Sequence, residues 1–443
     1  MIQGVEILRR KLSQRAGKPF ANILNEKVIE EAIVQAKLKG SNRLFTPIVT
    51  IWTFLYQVLE PDKSLANAVK QIRSCLTVEG AEVPSLNTGG YATARKRLPE
   101  KMLEWLFEHT GETLTAEAAP EQRWQGRYVK VLDGSTVVMA DTAANQKEYP
   151  QHKNQQPGCG FPIAKLVVMF SLTTAAAIGV RIATLNTSEI TLARSWYSTL
   201  KPFDIALADR AYGSYVDLAL VQQQGADGVF RKHQGRQSDF RKGKRLGKND
   251  HLVTWTRPKR CPKAMDKQEF KALPATLQVR EVRFSVERPG WRTKSVTVVT
   301  TLVDPKVYPK AQLAELYGLR WQAEINLNHI KTTLGMEMLK AQSTELVRKE
   351  IYVHLMAYNL LRYLMWQAAS QCSQSQAPLR LSVQGCQQSF NQFRSRLAEA
   401  GRVRLPRFCQ SLLEMIAETI VPLRPNRYEP VMSENDVLRL FPR

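Results

Sequence analysis

Asp133 ends the run RYVKVLD, and Asp209 ends FDIALAD. By the two-residue period of a strand, Val129, Val131 and Asp133 share one side, as do Phe203, Ile205, Leu207 and Asp209. A carboxylate in line with core-facing aliphatics has to be paired or to hold a cation, because burying a bare charge is costly. Taken singly, each aspartate reads as readily as a turn or a solvated strand end. Together they fall at the carboxyl ends of strands, where α/β sheets place their ligands. A third acid lies in LAELYGLRWQAEINLNHIKTTLG. There Tyr317, Arg320, Glu324 and Lys331 stand at offsets 0, 3, 7 and 14, within an arc of about 60° on one helix. Leu313, Leu316, Leu327, Ile330 and Leu334 form the neighbouring apolar stripe. Spacing alone also describes an ordinary amphipathic helix with solvated charges. The combination of groups is what phosphodiester chemistry needs. Several carboxylates can hold two divalent ions about 3.5–4 Å apart, and hard oxygen donors suit Mg²⁺ or Mn²⁺. Adjacent Arg and Lys bind phosphate, Arg as a bidentate fork.

These groups need elements to position them. Residues 1 to about 115 read as helices. LFTPIVTIWTFLYQVLE (44–60) is apolar on more than one face and predicts a buried core helix. The helix after it has Asp62 as its expected N-cap. In YATARKRLP the basic run Arg95, Lys96, Arg97 reads as a solvated helix or as a module that touches DNA. Near residue 120 the pattern changes. RYVKVLDGSTVVMAD reads as two strands joined as a hairpin at Asp133-Gly134. Further strands follow in IAKLVVMFSLTTAAAIGVRIATL, then a helix capped by Ser188, the strand before Asp209, and a helix closed by Gly225. This alternation predicts an α/β domain with a mixed sheet. Eleven Lys or Arg fall between 231 and 260, followed by strand-like runs up to 303. Pro309 marks the start of a long helix ending near Gly335, and the chain is helical again from 340.

Composition narrows the class. Lys plus Arg is 63 against 40 for Asp plus Glu, a net charge of +23. A surplus of this size favours a polyanionic partner. Six scattered cysteines form no CxxC pair, which argues against zinc and for reduced thiols. His152, His329 and His354 have no partner at metal-ligand spacing. No signal peptide and no membrane-length apolar run is apparent, so a soluble, cytoplasmic protein without a membrane partner is expected.

The spacing Tyr317-x2-Arg320-x3-Glu324-x6-Lys331 resembles the YREK signature of the insertion-sequence-four (IS-four) family of DDE transposases. Asp133 in LDGST and Asp209 in ADRAYGS resemble that family's two aspartates. YATARKRLP and ELVRKEIYVHLMAYNLLR are similar to its flanking segments. The resemblance implies an RNase H-like mixed-sheet catalytic core interrupted by a β-rich insertion, with helical N- and C-terminal domains. The expected boundaries are a DNA-binding domain at 1–118, core at 119–225, insertion at 226–300, the signature helix of the core at 301–340 and a C-terminal domain at 341–443. It further implies that Asp133, Asp209 and Glu324 bind two Mg²⁺ or Mn²⁺ ions. Tyr317, Arg320 and Lys331 would contact DNA near the cleaved end, joined by Arg95, Lys96 and Arg97 from the N-terminal module. The implied reaction is hydrolysis at the terminal inverted repeats of a transposable element, freeing a 3′-hydroxyl that attacks target DNA. A homodimer would hold both ends, in a bacterial cytoplasm and on the nucleoid when DNA is bound.

Two alternatives stay open in the residues. One is a repurposed, inactive transposase that only binds DNA; the other is an RNase H-like nuclease without strand transfer. Hairpin-forming relatives can use a tryptophan in the last strand before the signature helix. KSVTVVTTLV contains none. Trp291 and Trp255 lie upstream and read as strand aromatics of the insertion, which leaves the hairpin step open.

Overall fold

The computed structural model describes residues 2–38, 43–156, 158–263, 265–285, 295–371 and 378–422. Six helices come first: α1 (Ile2–Leu8), α2 (Glu26–Gln35), α3 (Pro47–Leu59), α4 (Leu65–Val78), α5 (Gly89–Arg97) and α6 (Glu100–Ala116). Then follow β1 (Val129–Met139), α7 (Ala143–Glu148), β2 (Ile163–Ser171), β3 (Ala177–Thr184), α8 (Glu189–Tyr197), β4 (Ile205–Ala208) and α9 (Tyr215–Gln223). A strand-rich stretch carries β5 (Asp227–Arg231), β6 (Lys244–Gly247), β7 (Asp250–Thr256), α10 (Lys267–Ala272), β8 (Thr276–Ser285) and β9 (Ser295–Thr300). The chain closes with α11 (Lys310–Gly318), α12 (Trp321–Asn328), β10 (Met338–Leu339), α13 (Thr344–Gln371), α14 (Val383–Glu399) and α15 (Leu405–Ala417). The architecture is mixed α/β, as the patterning predicts. Two compact units divide it, one from Met1–Ala193 with Trp321–Ile420, the other Arg194–Arg320.

The first unit is built around α13. It is buried continuously from Ile351 to Trp366, the polar His354, Asn359 and Arg362 included. The apolar α3 is likewise buried throughout, as its sequence predicts. On α6, a Cβ at Gly111 would stand 2.4 Å from the Ala177 carbonyl oxygen, so the helix lies directly on β3. Asn359 of α13 completes that joint. Its amide donates to the Ala177 carbonyl (2.8 Å) and its oxygen accepts from the Ala177 N–H (2.8 Å). In this unit β1 pairs antiparallel with β2, and β2 with β3, while β10 pairs parallel with β1 at Val138–Met338.

The second unit pairs β4 with β5 in parallel. From β5 the order continues antiparallel through β9, β8, β7 and β6. A buried ion pair pins the middle of it: Arg280 donates to both Asp250 carboxylate oxygens, at 2.8 and 2.6 Å, and to the Tyr308 carbonyl at 2.7 Å.

Four local expectations are corrected. No hairpin forms at Asp133-Gly134; β1 runs straight through, with Asp133 opposite Val168 and Gly134 opposite Val167. The unbroken register with β2 outweighs the turn preference of the dipeptide. Ser64, not Asp62, caps α4, accepting from the Asn67 N–H, while Asp62 accepts from the Ser64 N–H. Phe203 is not a core residue: it is 76% exposed with φ +68°, whereas Ile205 and Leu207 are fully buried. Finally, the signature segment is not one regular helix. After Gly318, a poor helix former, Arg320 bonds back only three residues to Tyr317 (3.1 Å), and the α-helical ladder stops. α12 then widens into a π-turn over His329–Thr333, and Gly335 (φ +67°) ends it.

Candidate active site

Asp133 sits at the middle of β1, half-buried, with Val129 and Val131 buried on its face as the alternation predicts. Its Oδ1 accepts the Gly134 N–H at 3.0 Å. The approach is close: a Cβ at 134 would meet the Glu189 carboxylate at 2.7–2.8 Å. Glu189, in the first turn of α8, thus lays a second acidic group against the Asp133-Gly134 backbone. Sequence reasoning overlooked it, having used that helix only for its cap, Ser188.

Glu324 belongs to the same unit. It is half-buried in the first turn of α12, which packs on β1. The chain beyond the π-turn is tied to β1 as well: the Val138 N–H donates to the Glu337 carbonyl at 3.1 Å. Strand and helix carrying two of the acids are therefore joined along one edge. Lys331 lies inside the π-turn and is half-buried.

Asp209 lies in the other unit. The buried strand β4 delivers it to a strand end, where it opens a short 3₁₀ turn and keeps its carboxylate 37% exposed. Tyr317, from α11, donates its hydroxyl to Oδ1 at 3.4 Å, and the Arg231 guanidinium stands 4.0 Å from the same oxygen. Burial pushes the Tyr317 phenol well above its ordinary range, so it stays a proton donor at neutral pH. Its ring lies 6.3 Å from Phe284. Arg320 is largely buried in the interruption after α11.

The N-terminal basic run splits by exposure. Arg95 turns inward, 8% exposed, its guanidinium 4.0 Å over the Phe54 ring. Lys96 is exposed, and Arg97 borders a cavity of about 400 Å³ with Arg43, Asn87 and Gly89. Among the histidines, His354 is buried, His329 half-buried and His152 exposed. Trp255 packs as a strand aromatic, its indole N–H on Glu281 at 3.1 Å; Trp291 lies outside the described residues.

A second cluster was hidden in the sequence among the eleven cations of 231–260. Arg231, Lys232, His233, Arg236 and Ser238 line a cavity of about 420 Å³ together with Arg283 of β8. Beneath it, the buried Glu281 accepts from Ser238 and from Trp255, and Arg236 stacks 3.9 Å over the Trp255 ring. Anions are the ligands such a lining favours. Strand pairing, which one sequence does not reveal, decides which cations converge.

The donor set of the three acids is hard oxygen only, which fits Mg²⁺ or Mn²⁺. Among the described residues no group of three His, Cys, Asp or Glu side chains is gathered tightly enough to hold an ion by itself. No described helix is long and apolar enough to cross a membrane.

Comparison with known proteins identifies the family. Residues 124–360 match the family described as Transposase DDE domain, a span that includes Asp133, Asp209 and Glu324. The chain is 26% identical over 392 residues to the transposase InsG for insertion sequence element IS4 of Escherichia coli, covering 86% of this chain and 83% of that protein. It is 25% identical over 135 residues to the putative transposase InsZ of the same organism, covering 30% of this chain and 45% of that one. Among solved structures, a piggyBac transposase synaptic complex with hairpin DNA aligns at 10% identity with a TM-score of 0.46, covering 96% of this chain and 89% of that one. Enzymes of the matched family generally work with divalent metal ions. The chain belongs to the family of the Transposase DDE domain and is a DNA-transposing enzyme.

Proposed function

We propose that Asp133, Asp209 and Glu324 are the acids that hold two Mg²⁺ or Mn²⁺ ions for cleavage at the ends of a transposable element and for strand transfer into target DNA. The observation that carries this reading is the family match across 124–360, which spans all three acids. Bound divalent ions supply stabilisation of the attacking and leaving oxygens of a phosphodiester. The rest falls to the side chains. Tyr317 steadies the Asp209 carboxylate by donating its proton to a hydrogen bond. Arg231 adds positive charge beside the same oxygen. Arg320 and Lys331 pair with phosphates near the cleaved end, and the cavity of Arg231, Lys232, Arg236 and Arg283 receives a further stretch of backbone. In the N-terminal helices Lys96 and Arg97 face DNA, while Arg95 holds the packing that presents them.

The domain roles follow the same reading: helical segments at both ends, an RNase H-like core, and the strand-rich stretch of 226–300 as a basic insertion. Three antiparallel strands followed by a parallel pair support that core. The DNA is the element's inverted repeats plus a target duplex, two copies of the chain hold the two ends, and the reaction takes place in the cytoplasm. The deciding experiment incubates the protein with a duplex carrying the sequences that flank the gene. Asp133→Ala, Asp209→Ala or Glu324→Ala should each abolish Mg²⁺-dependent cleavage and leave DNA binding nearly intact. Cleavage that survives any one of them removes that acid from the site. Cut ends that never join a target plasmid would leave a nuclease without strand transfer.

A further inference from the structure

The strongest unassigned feature is a guanidinium buried behind α12. Arg362 of α13 is 4% exposed. Its Nη2 donates to the Asn326 side-chain oxygen at 2.8 Å and lies 3.3 Å from His329 Nδ1. Its Nε donates to the Tyr358 hydroxyl at 2.8 Å, one turn back on its own helix. Among the described residues no carboxylate lies within ion-pair distance of it, and its three partners are neutral groups. Burial holds the His329 imidazole down to about pKa 4, so it offers a free lone pair at neutral pH. A guanidinium buried among neutral partners is a poor source of stability compared with an apolar residue of similar volume. Fixing the geometry of its partners is the role left to it.

What the guanidinium grips is the helix that carries Glu324. α12 has eight residues, interrupted before Trp321 and widened to a π-turn after Asn328. A helix this short has little stability or fixed phase of its own. Asn326 is two residues beyond Glu324, about 200° around the axis. Turning Asn326 inward, where it is 2% exposed, therefore turns Glu324 outward. His329 falls within about 60° of Asn326 on the same face, which is why one guanidinium reaches both.

We propose that Arg362 is a positioning residue for Glu324: bonded to Asn326 and His329, it fixes the rotation of α12 and so the direction of the Glu324 carboxylate. This rests on the reading of Glu324 as a metal-holding acid. Displaced supports of this kind typically cost roughly 10- to 100-fold in metal affinity or activity.

The test uses the full chain and a duplex bearing the sequences that flank the gene. Single-turnover cleavage is measured at saturating DNA and varied Mg²⁺, alongside DNA affinity without Mg²⁺ and thermal unfolding. The variants are Arg362→Gln, which cannot reach both partners, Asn326→Ala, their double mutant, and Glu324→Gln as the reference. Both single variants should cleave roughly 10- to 100-fold more slowly per folded molecule and need more Mg²⁺ for half-maximal rate. DNA affinity should stay within about threefold, and the double mutant should be no slower than the slower single. Wild-type rates and Mg²⁺ dependence per folded molecule, or a loss confined to DNA affinity, overturn the proposal. If Arg362→Gln does not fold, Asn326→Ala decides by the same criteria. Should Glu324→Gln cleave normally, the reading of Glu324 fails first; if it is inactive while the other variants are unaffected, only the role of Arg362 fails.

Discussion

Tyr317 and Asp209 stand 108 positions apart and meet through a 3.4 Å hydrogen bond, phenol to carboxylate. The strand end supplies the acid and α11 the donor. Burial keeps the phenol protonated far above neutral pH, so the bond persists across the working range. A donor here turns the carboxylate without competing for its charge.

Tyr317→Phe removes only that hydroxyl. The bond is long and the carboxylate partly exposed, so the loss should fall below the usual range for a charge-assisted bond, at about 1 kcal/mol. That corresponds to roughly fivefold slower cleavage. DNA affinity should change less than about threefold, because the ring and its packing on Phe284 remain. Single-turnover cleavage beside a binding titration measures both; an unchanged cleavage rate would show the bond to be idle.

Gly134 bears on stability differently. The atoms a Cβ would meet belong to the Glu189 carboxylate, the far end of a flexible side chain. The chain also gains a residue better suited to a strand than glycine. Gly134→Ala should therefore unfold within about 1 kcal/mol of the parent, with Glu189 swung aside. Denaturant midpoints decide it: a loss above about 2 kcal/mol would mean that Glu189 is locked in place.

That same dipeptide shows where reading the sequence stops. Asp-Gly carries a strong local turn preference, yet nine residues of β2 pair across it without a break. Alternation placed β2, β3, β4, β7 and β8 because each has one face or both faces in a core. The apolar stripe of the signature segment also held, with Leu313, Leu316, Leu327, Ile330 and Leu334 all buried. The interruption after Gly318 and the π-turn at His329 do not show in a 3.6-residue template, which counts apolar positions and assumes one unbroken hydrogen-bond ladder. Arg95 looked like its neighbours Lys96 and Arg97; only the packing of α5 against Phe54 separates them. Glu281, Arg283 and Arg231 converge by strand order, which no spacing in the chain encodes.

The cavity of Arg231, Lys232, Arg236 and Arg283 leads to a prediction in salt. Each phosphate neutralised contributes about 0.9 to the slope of log affinity against log salt. Arg231→Ala and Arg283→Ala should each weaken binding to specific and unrelated duplexes alike and lower that slope by about 1. Arg231→Ala should also slow cleavage, because Arg231 stands beside Asp209, while Arg283→Ala should act on binding alone. A slope equal to the parent's in both variants would place the backbone elsewhere on the protein.

The buried histidines set an acid limit on stability. Burial draws His354 down to about pKa 4, and burial with the nearby Arg362 charge does the same for His329. In the unfolded chain both titrate near 6.5. As pH falls below about 6.5, the unfolded chain binds protons that the folded chain refuses, so stability is complete above that value and drains away towards pH 4. His354 has its Nδ1 2.8 Å from the Glu350 carbonyl, and its ring is buried, so burial is the main penalty on a second proton. Its share of the loss should be about 1–3 kcal/mol. His354→Gln keeps a polar group there and removes the titration. Denaturant unfolding at pH 7.5, 6 and 5 should show a shallower fall for this variant than for the parent. Parallel pH profiles would mean that His354 does not report the acid transition and that His329 or the carboxylates carry it.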